Sequence, residues 1–118
     1  MPSGLPITVI ETPEFLKATR GLLDDDERTT LVEYLAINPV AGDLIPGTGG
    51  VRKLRWALEG RGKRGGARVI YYFHCADVPL FALTAYAKNE RLNLTQAERN
   101  DLRRLTKLLI ENYGGKGR

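Results

Sequence analysis

Apolar residues recur along this chain in two rhythms, one of strands and one of helices. From Val51 to Phe73, apolar and polar positions alternate with the two-residue period of β-structure, on either side of a glycine-rich connection. Leu80 to Lys88 repeats the period, with Leu80, Ala82, Thr84, Tyr86 and Lys88 on one side and Phe81, Leu83, Ala85 and Ala87 on the other. Ile7 to Ile10 is a short β-branched run that predicts a first strand at a sheet edge. Helical spacing governs two other stretches: Leu31, Tyr34, Leu35 and Asn38, closed by Pro39, and Leu102, Leu105 and Leu109 with Leu108 beside them.

Start and stop signals bound these elements. Thr12-Pro13-Glu14 predicts a short helix from Pro13 to about Arg20, stopped at Gly21. Asp24, Asp25, Asp26 and Glu27 suit the positive end of the next helix, a reading preferred here to a metal or partner site. Val40 to Gly50 carries neither period and reads as a loop. Cys75-Ala76-Asp77 marks a turn, Thr95-x-x-Glu98 a capping box, and Gly114-Gly115 the end of the last helix. The order β, α, α, β, β, β, α predicts one α+β domain over residues 1–118. Its antiparallel sheet has about four strands, with two N-terminal helices and a C-terminal helix packed on one face.

Composition narrows the class. At 118 residues the chain can bury a core without disulfides or metal, and its single cysteine, Cys75, excludes a disulfide framework. No apolar run approaches the length of a membrane span, and the N-terminus lacks the pattern of a secretory signal, so a cytoplasmic protein is expected. The net charge of +4 is modest. Its placement is more informative, because Arg52, Lys53, Arg55, Arg61, Lys63, Arg64 and Arg68 crowd the hairpin against Glu59 alone.

Strand alternation then sorts the hairpin. Leu54, Trp56, Leu58, Val69, Tyr71 and Phe73 form an apolar side, to which Phe81, Leu83 and Ala85 are assigned from the following strand. The other side collects Lys53, Arg55, Arg68, Tyr72, Tyr86 and Lys88, with Arg61, Lys63 and Arg64 in the turn at its edge. Cations on an open sheet suit phosphodiesters, and exposed phenols suit stacking on unpaired bases. Single-stranded RNA is therefore the favoured ligand.

Other motifs carry less. Gly60-x-Gly62-x-x-Gly65 matches a dinucleotide-binding pattern, but a strand follows it where a helix is required; a hairpin turn is the better reading. His74 stands at a strand end and is read as structural or superficial; Cys75 lacks a second histidine to activate it. No cysteine–histidine cluster supports zinc.

The series GTGGVRKLRWA, GRGKRGGARVIYYF and YAKNE, with NLTQAE opening the last helix, resembles the RelE/ParE superfamily of bacterial toxin–antitoxin pairs, especially the HigB-like branch of RelE. The likeness runs from about Ile7 to Tyr113. It implies a RelE-like, microbial ribonuclease-type fold and a ribosome-dependent mRNA endonuclease (an mRNA interferase) that halts translation without metal or organic cofactor. It also implies a cognate antitoxin, contact with the ribosome and its rRNA, and operator DNA reached only through the antitoxin complex.

Carried onto this chain, the resemblance assigns Arg68 to the scissile phosphate, and Lys53 and Arg55 to the basic positions of the preceding strand. Lys88 takes the place of a lysine of the final strand, and Asn89 stands where an arginine is the family pattern. Asn93, Leu94 and Thr95 stand near the place of a tyrosine found in many members, which leaves Tyr86 as the nearest phenol on the same side. The candidate catalytic set is Arg68, Lys88, Tyr86 and Lys53. Arg55, Arg61, Lys63, Arg64, Tyr72 and Asn89 are the candidates for RNA and ribosome contact. Crowded cations are expected to lower a lysine pKa and favour tyrosinate, with the acid and base assignments left open. A ParE-like toxin of the same fold acting on DNA gyrase, and a non-catalytic nucleic-acid-binding module, are the alternatives.

Overall fold

Local capping shapes the first half of the chain. The computed structural model describes residues 5–58, 66–91 and 93–114. Strand β1 (Val9–Glu11) leads into helix α1 (Pro13–Thr19). The Thr12 hydroxyl accepts from the Phe15 N–H at 3.2 Å and donates to the Ala82 carbonyl at 2.9 Å, so one side chain starts the helix and ties it to the sheet. Helix α2 (Asp25–Ile37) opens on a reciprocal cap. The Glu27 N–H donates to Asp24 Oδ1 at 2.7 Å, and the Asp24 N–H donates to Glu27 Oε1 at 2.9 Å. The acidic run is thus a helix start, as its position suggested.

Strands β2 (Asp43–Leu44), β3 (Val51–Trp56), β4 (Ala67–Tyr72) and β5 (Leu80–Ala87) follow, then helix α3 (Gln96–Leu109), which widens into a π-helical turn at Ile110–Gly114. The sheet order is β1-β5-β4-β3-β2, with β1 at one edge and parallel to β5 and every other pair antiparallel. Strand β2 lies inside the expected loop; two residues are too few to carry an alternation.

Two cores flank the sheet, which corrects the expectation of helices on one face. On one side Phe15, Leu22, Leu23, Leu31 and Leu35 pack against Leu54, Val69, Tyr71, Leu80, Ala82 and Ala85. On the other, Leu102, Leu105, Leu109 and Ile110 of the α3 segment cover Val51, Ile70, Tyr72, Phe81, Leu83 and Tyr86. The physical cause is that β4 and β5 are apolar on both sides, and each side must be shielded from water. The Gly-Thr-Gly-Gly loop seats α3. Thr48 is fully buried, and its carbonyl accepts from the Thr106 hydroxyl at 3.0 Å. At Gly49 (φ +78°) an added Cβ would lie 2.6 Å from Thr106 Oγ1, so only glycine lets the helix come this close.

Alternation along β5 is broken once. Tyr71 pairs with Ala82 and Ile70 with Thr84, so the register skips Leu83. This bulge puts Leu80 and Ala82 on the same side as Ala85 and Ala87, and Phe81 and Leu83 on the side of Tyr86. The assignment of Phe81 and Leu83 to the Val69 side is therefore wrong, while that of Ala85 stands.

Candidate functional site

The register of three strands builds a row of polar side chains on the α3 side of the sheet. Arg55 pairs with Arg68 across β3 and β4, and Arg68 pairs with Tyr86 across β4 and β5. Lys53, opposite Ile70, belongs to the same side two residues along β3. Alternation thus predicts the grouping of Lys53, Arg55, Arg68 and Tyr86 correctly. Exposure grades across the group: Arg55 is exposed, Lys53 half-buried, and Arg68 retains 8 % of its surface. Arg68 Nη1 donates to the Ala67 carbonyl at 3.2 Å, which orients the guanidinium along its own strand. A cation so withdrawn from water is held rigidly, which suits a fixed charge but costs desolvation.

The segment between β5 and α3 straps this row. After Ala87 the chain turns at residues 88–90, where the Lys88 N–H donates to the Gly66 carbonyl at 3.0 Å and Lys88 and Asn89 are exposed; the expectation of Lys88 within the strand beside Tyr86 is thus corrected to a place in the turn. The Arg91 guanidinium then lies 4.6 Å from the centre of the Tyr86 ring, and its Nη1 donates to both Glu98 carboxylate oxygens, at 2.9 and 2.8 Å. Asn93 Oδ1 accepts from Lys53 Nζ at 3.3 Å, and Leu94 of the same segment is buried. The strap touches β5 at Tyr86 and β3 at Lys53, and β4 lies between those strands. Sequence reasoning missed Arg91 because it lies outside any period. The available signal was the short span from the end of β5 to the Thr95 cap, which keeps Arg91 close to the last residues of β5.

The two tyrosines differ from expectation. Tyr72 is 1 % exposed and Tyr86 is 5 % exposed, because α3 and the strap cover them. Neither presents a face on which a base could stack, so the expected open platform is corrected to a cationic rim around a covered centre. Burial pushes the Tyr86 hydroxyl pKa above 10.0; Arg91 and Arg68 pull it down and Glu98 raises it, but burial prevails. The expected tyrosinate is thus replaced by a neutral phenol at physiological pH. Tyr72 is likewise raised, by burial first and then by Cys75. The Glu98 carboxyl is held low by the Thr95 N–H and then by the hydrogen bond from Arg91.

The remaining candidates fall elsewhere. Arg61, Lys63 and Arg64, with Gly60, Gly62 and Gly65, lie outside the described residues. His74 is exposed, its ring stacked on Tyr72 with centroids 6.4 Å apart. Among the described residues no group of three or more histidine, cysteine or acidic side chains is placed to hold a metal, and no helix is long and apolar enough to cross a membrane.

In sum, the geometry offers fixed cations beside a neutral phenol, reached from an exposed rim, an arrangement able to bind and polarise a phosphodiester. A sequence family described as the RelE toxin of the RelE/RelB toxin–antitoxin system matches residues 8–114.

Proposed function

This chain belongs to the RelE toxin family of toxin–antitoxin systems, and on that membership we propose that it cuts messenger RNA on the ribosome and so stops translation. The family pairs its toxins with antitoxins, and its members are generally endoribonucleases. The observation that best supports the finer reading is the cross-strand row of Arg55, Arg68 and Tyr86, with Lys53 beside it. The protein acts in the cytoplasm, within the HigB-like branch. Its antitoxin silences it, and operator DNA is met only through the antitoxin complex.

The reaction is attack of a ribose 2′-hydroxyl on the adjacent phosphate. The bond to the 5′-oxygen breaks, leaving a 2′,3′-cyclic phosphate and a 5′-hydroxyl. Arg68, with Lys53 or Arg55, stabilises the charge that develops on the five-coordinate phosphorus. Tyr86, kept protonated by burial, is fitted to hand a proton to the leaving 5′-oxygen. Lys88, exposed in the turn after β5, is the remaining catalytic candidate and adds its charge beside the phosphate, while the proton of the 2′-hydroxyl passes to solvent water. Arg61, Lys63, Arg64 and Asn89 grip the backbone of rRNA or message around this centre.

Induction of the protein in growing cells, with translation and DNA replication followed side by side, tests the reading. An early stop in translation with fragmentation of messages is expected. An early replication block with normal translation would instead place the chain with the gyrase-directed toxins of this fold.

A further inference from the structure

Arg91 is the most conspicuous charged group near the row that no strand period explains. It is anchored at two points, by the face of the Tyr86 ring and by the Glu98 carboxylate, yet its side chain keeps 36 % of its surface. Only Nη1 is committed to Glu98; Nε and Nη2 donate no hydrogen bond among the described residues. A planar guanidinium held along one edge, with other N–H groups facing water, is preorganised for an anion with oxygens in a plane. Tyr86 thus has Arg68 as its cross-strand partner and Arg91 over its ring.

We propose that Arg91 is a further substrate-contacting cation of this site, binding a phosphate of single-stranded RNA, and that Glu98 is its positioning residue. The inference rests on the reading of the chain as an RNA-cutting toxin, and it deepens it. Glu98 also closes the cap of α3, accepting from the Thr95 N–H at 2.8 Å. The same carboxylate therefore sets both the start of the helix and the aim of Arg91.

Two measurements on the full chain decide it. The first is binding of a short oligouridylate over a range of salt. Arg91→Gln should weaken binding and reduce the slope of log K against log salt by about 0.7, one single-strand phosphate contact. An unchanged slope overturns the inference, whether or not the protein cuts messages. The second is single-turnover cleavage of ribosome-bound message in a 2 × 2 set of Arg91→Gln and Glu98→Gln, with thermal unfolding of each. Glutamine at 98 keeps an acceptor for the Thr95 N–H, so the fold should hold. Arg91→Gln should slow cleavage about 100-fold. Glu98→Gln should slow it about tenfold alone and not at all beside Arg91→Gln, as coupled contacting residues behave. Equal losses from Glu98→Gln in both backgrounds would reduce Glu98 to a helix cap and overturn its role. Absence of cleavage by the unsubstituted protein would sink the endonuclease reading, while the salt slope would still decide the RNA contact.

Discussion

Arg55 and Arg68 face each other directly across the β3–β4 ladder. Like charges so placed repel, typically by about 0.2–1 kcal/mol. Arg55→Gln should therefore leave unfolding stability unchanged or raise it by that amount, read from urea melts. The same variant should cut messages more slowly. A loss of stability with full cleavage would show that Arg55 braces the sheet and does not serve the site.

Tyr71 and Tyr72 are neighbours on β4, both buried, with opposite hydrogen-bond fates. The Tyr71 hydroxyl accepts from the Gly42 N–H and donates to the Pro39 carbonyl, each at 2.8 Å. The Tyr72 hydroxyl has no partner among the described residues. Tyr71→Phe strands a buried N–H and should cost about 1–3 kcal/mol, whereas Tyr72→Phe should be neutral or slightly stabilising. Thermal melts of the pair provide the check. Full cleavage by Tyr72→Phe would agree with its place under α3, away from RNA.

Those two residues also show what was legible beforehand. Alternation correctly set Lys53, Arg55, Arg68 and Tyr72 on one side, and the Thr12, Asp24–Glu27 and Thr95 signals located the starts of α1, α2 and α3. Alternation could not say what covers that side. The Leu102, Leu105 and Leu109 stripe shows that α3 has a face to bury, not where it buries it. The clue lay in β4 itself, since Val69, Ile70, Tyr71 and Tyr72 form an unbroken apolar run of the kind shielded on both sides. The skip at Leu83 was illegible for a different reason: a bulge depends on how two strands meet, and no single strand records it.

Alkaline pH should expose the burial of the phenols. Tyr71, Tyr72 and Tyr86 all have hydroxyl pKa values raised above 10.0, chiefly by burial. Their folded values exceed the unfolded one, so their contribution to stability is full below pH 10 and is lost as pH climbs through the raised values. Unfolding free energy should decline above pH 10, and less steeply in Tyr86→Phe. The cleavage rate should show no gain from a Tyr86 phenolate between pH 7 and 9.

On the acid side the sign reverses. The Glu98 carboxyl is held below its ordinary 4.5. Its contribution is present above that value and is lost as pH falls through the lowered one. The start of α3 should stay formed at pH 5, with amide exchange at residues 96–99 rising only in stronger acid. In Glu98→Gln this acid-dependent rise should disappear.

Gly49 offers a test of how α3 is seated. Alanine there meets both a positive φ and the Thr106 hydroxyl, and should cost about 1–3 kcal/mol. Near-wild-type melting of Gly49→Ala would mean that α3 does not need its close approach to the loop.

The most direct measurement maps the ends of a message after incubation with ribosomes and purified protein, with Arg68→Gln and Arg55→Gln run in parallel. The expected result is ribosome-dependent cutting that leaves a 2′,3′-cyclic phosphate and a 5′-hydroxyl, slowed about 100-fold in folded Arg68→Gln and less in Arg55→Gln. Intact messages with the unsubstituted protein, or undiminished cutting by both variants, would contradict the assignment of this arginine row to RNA cleavage.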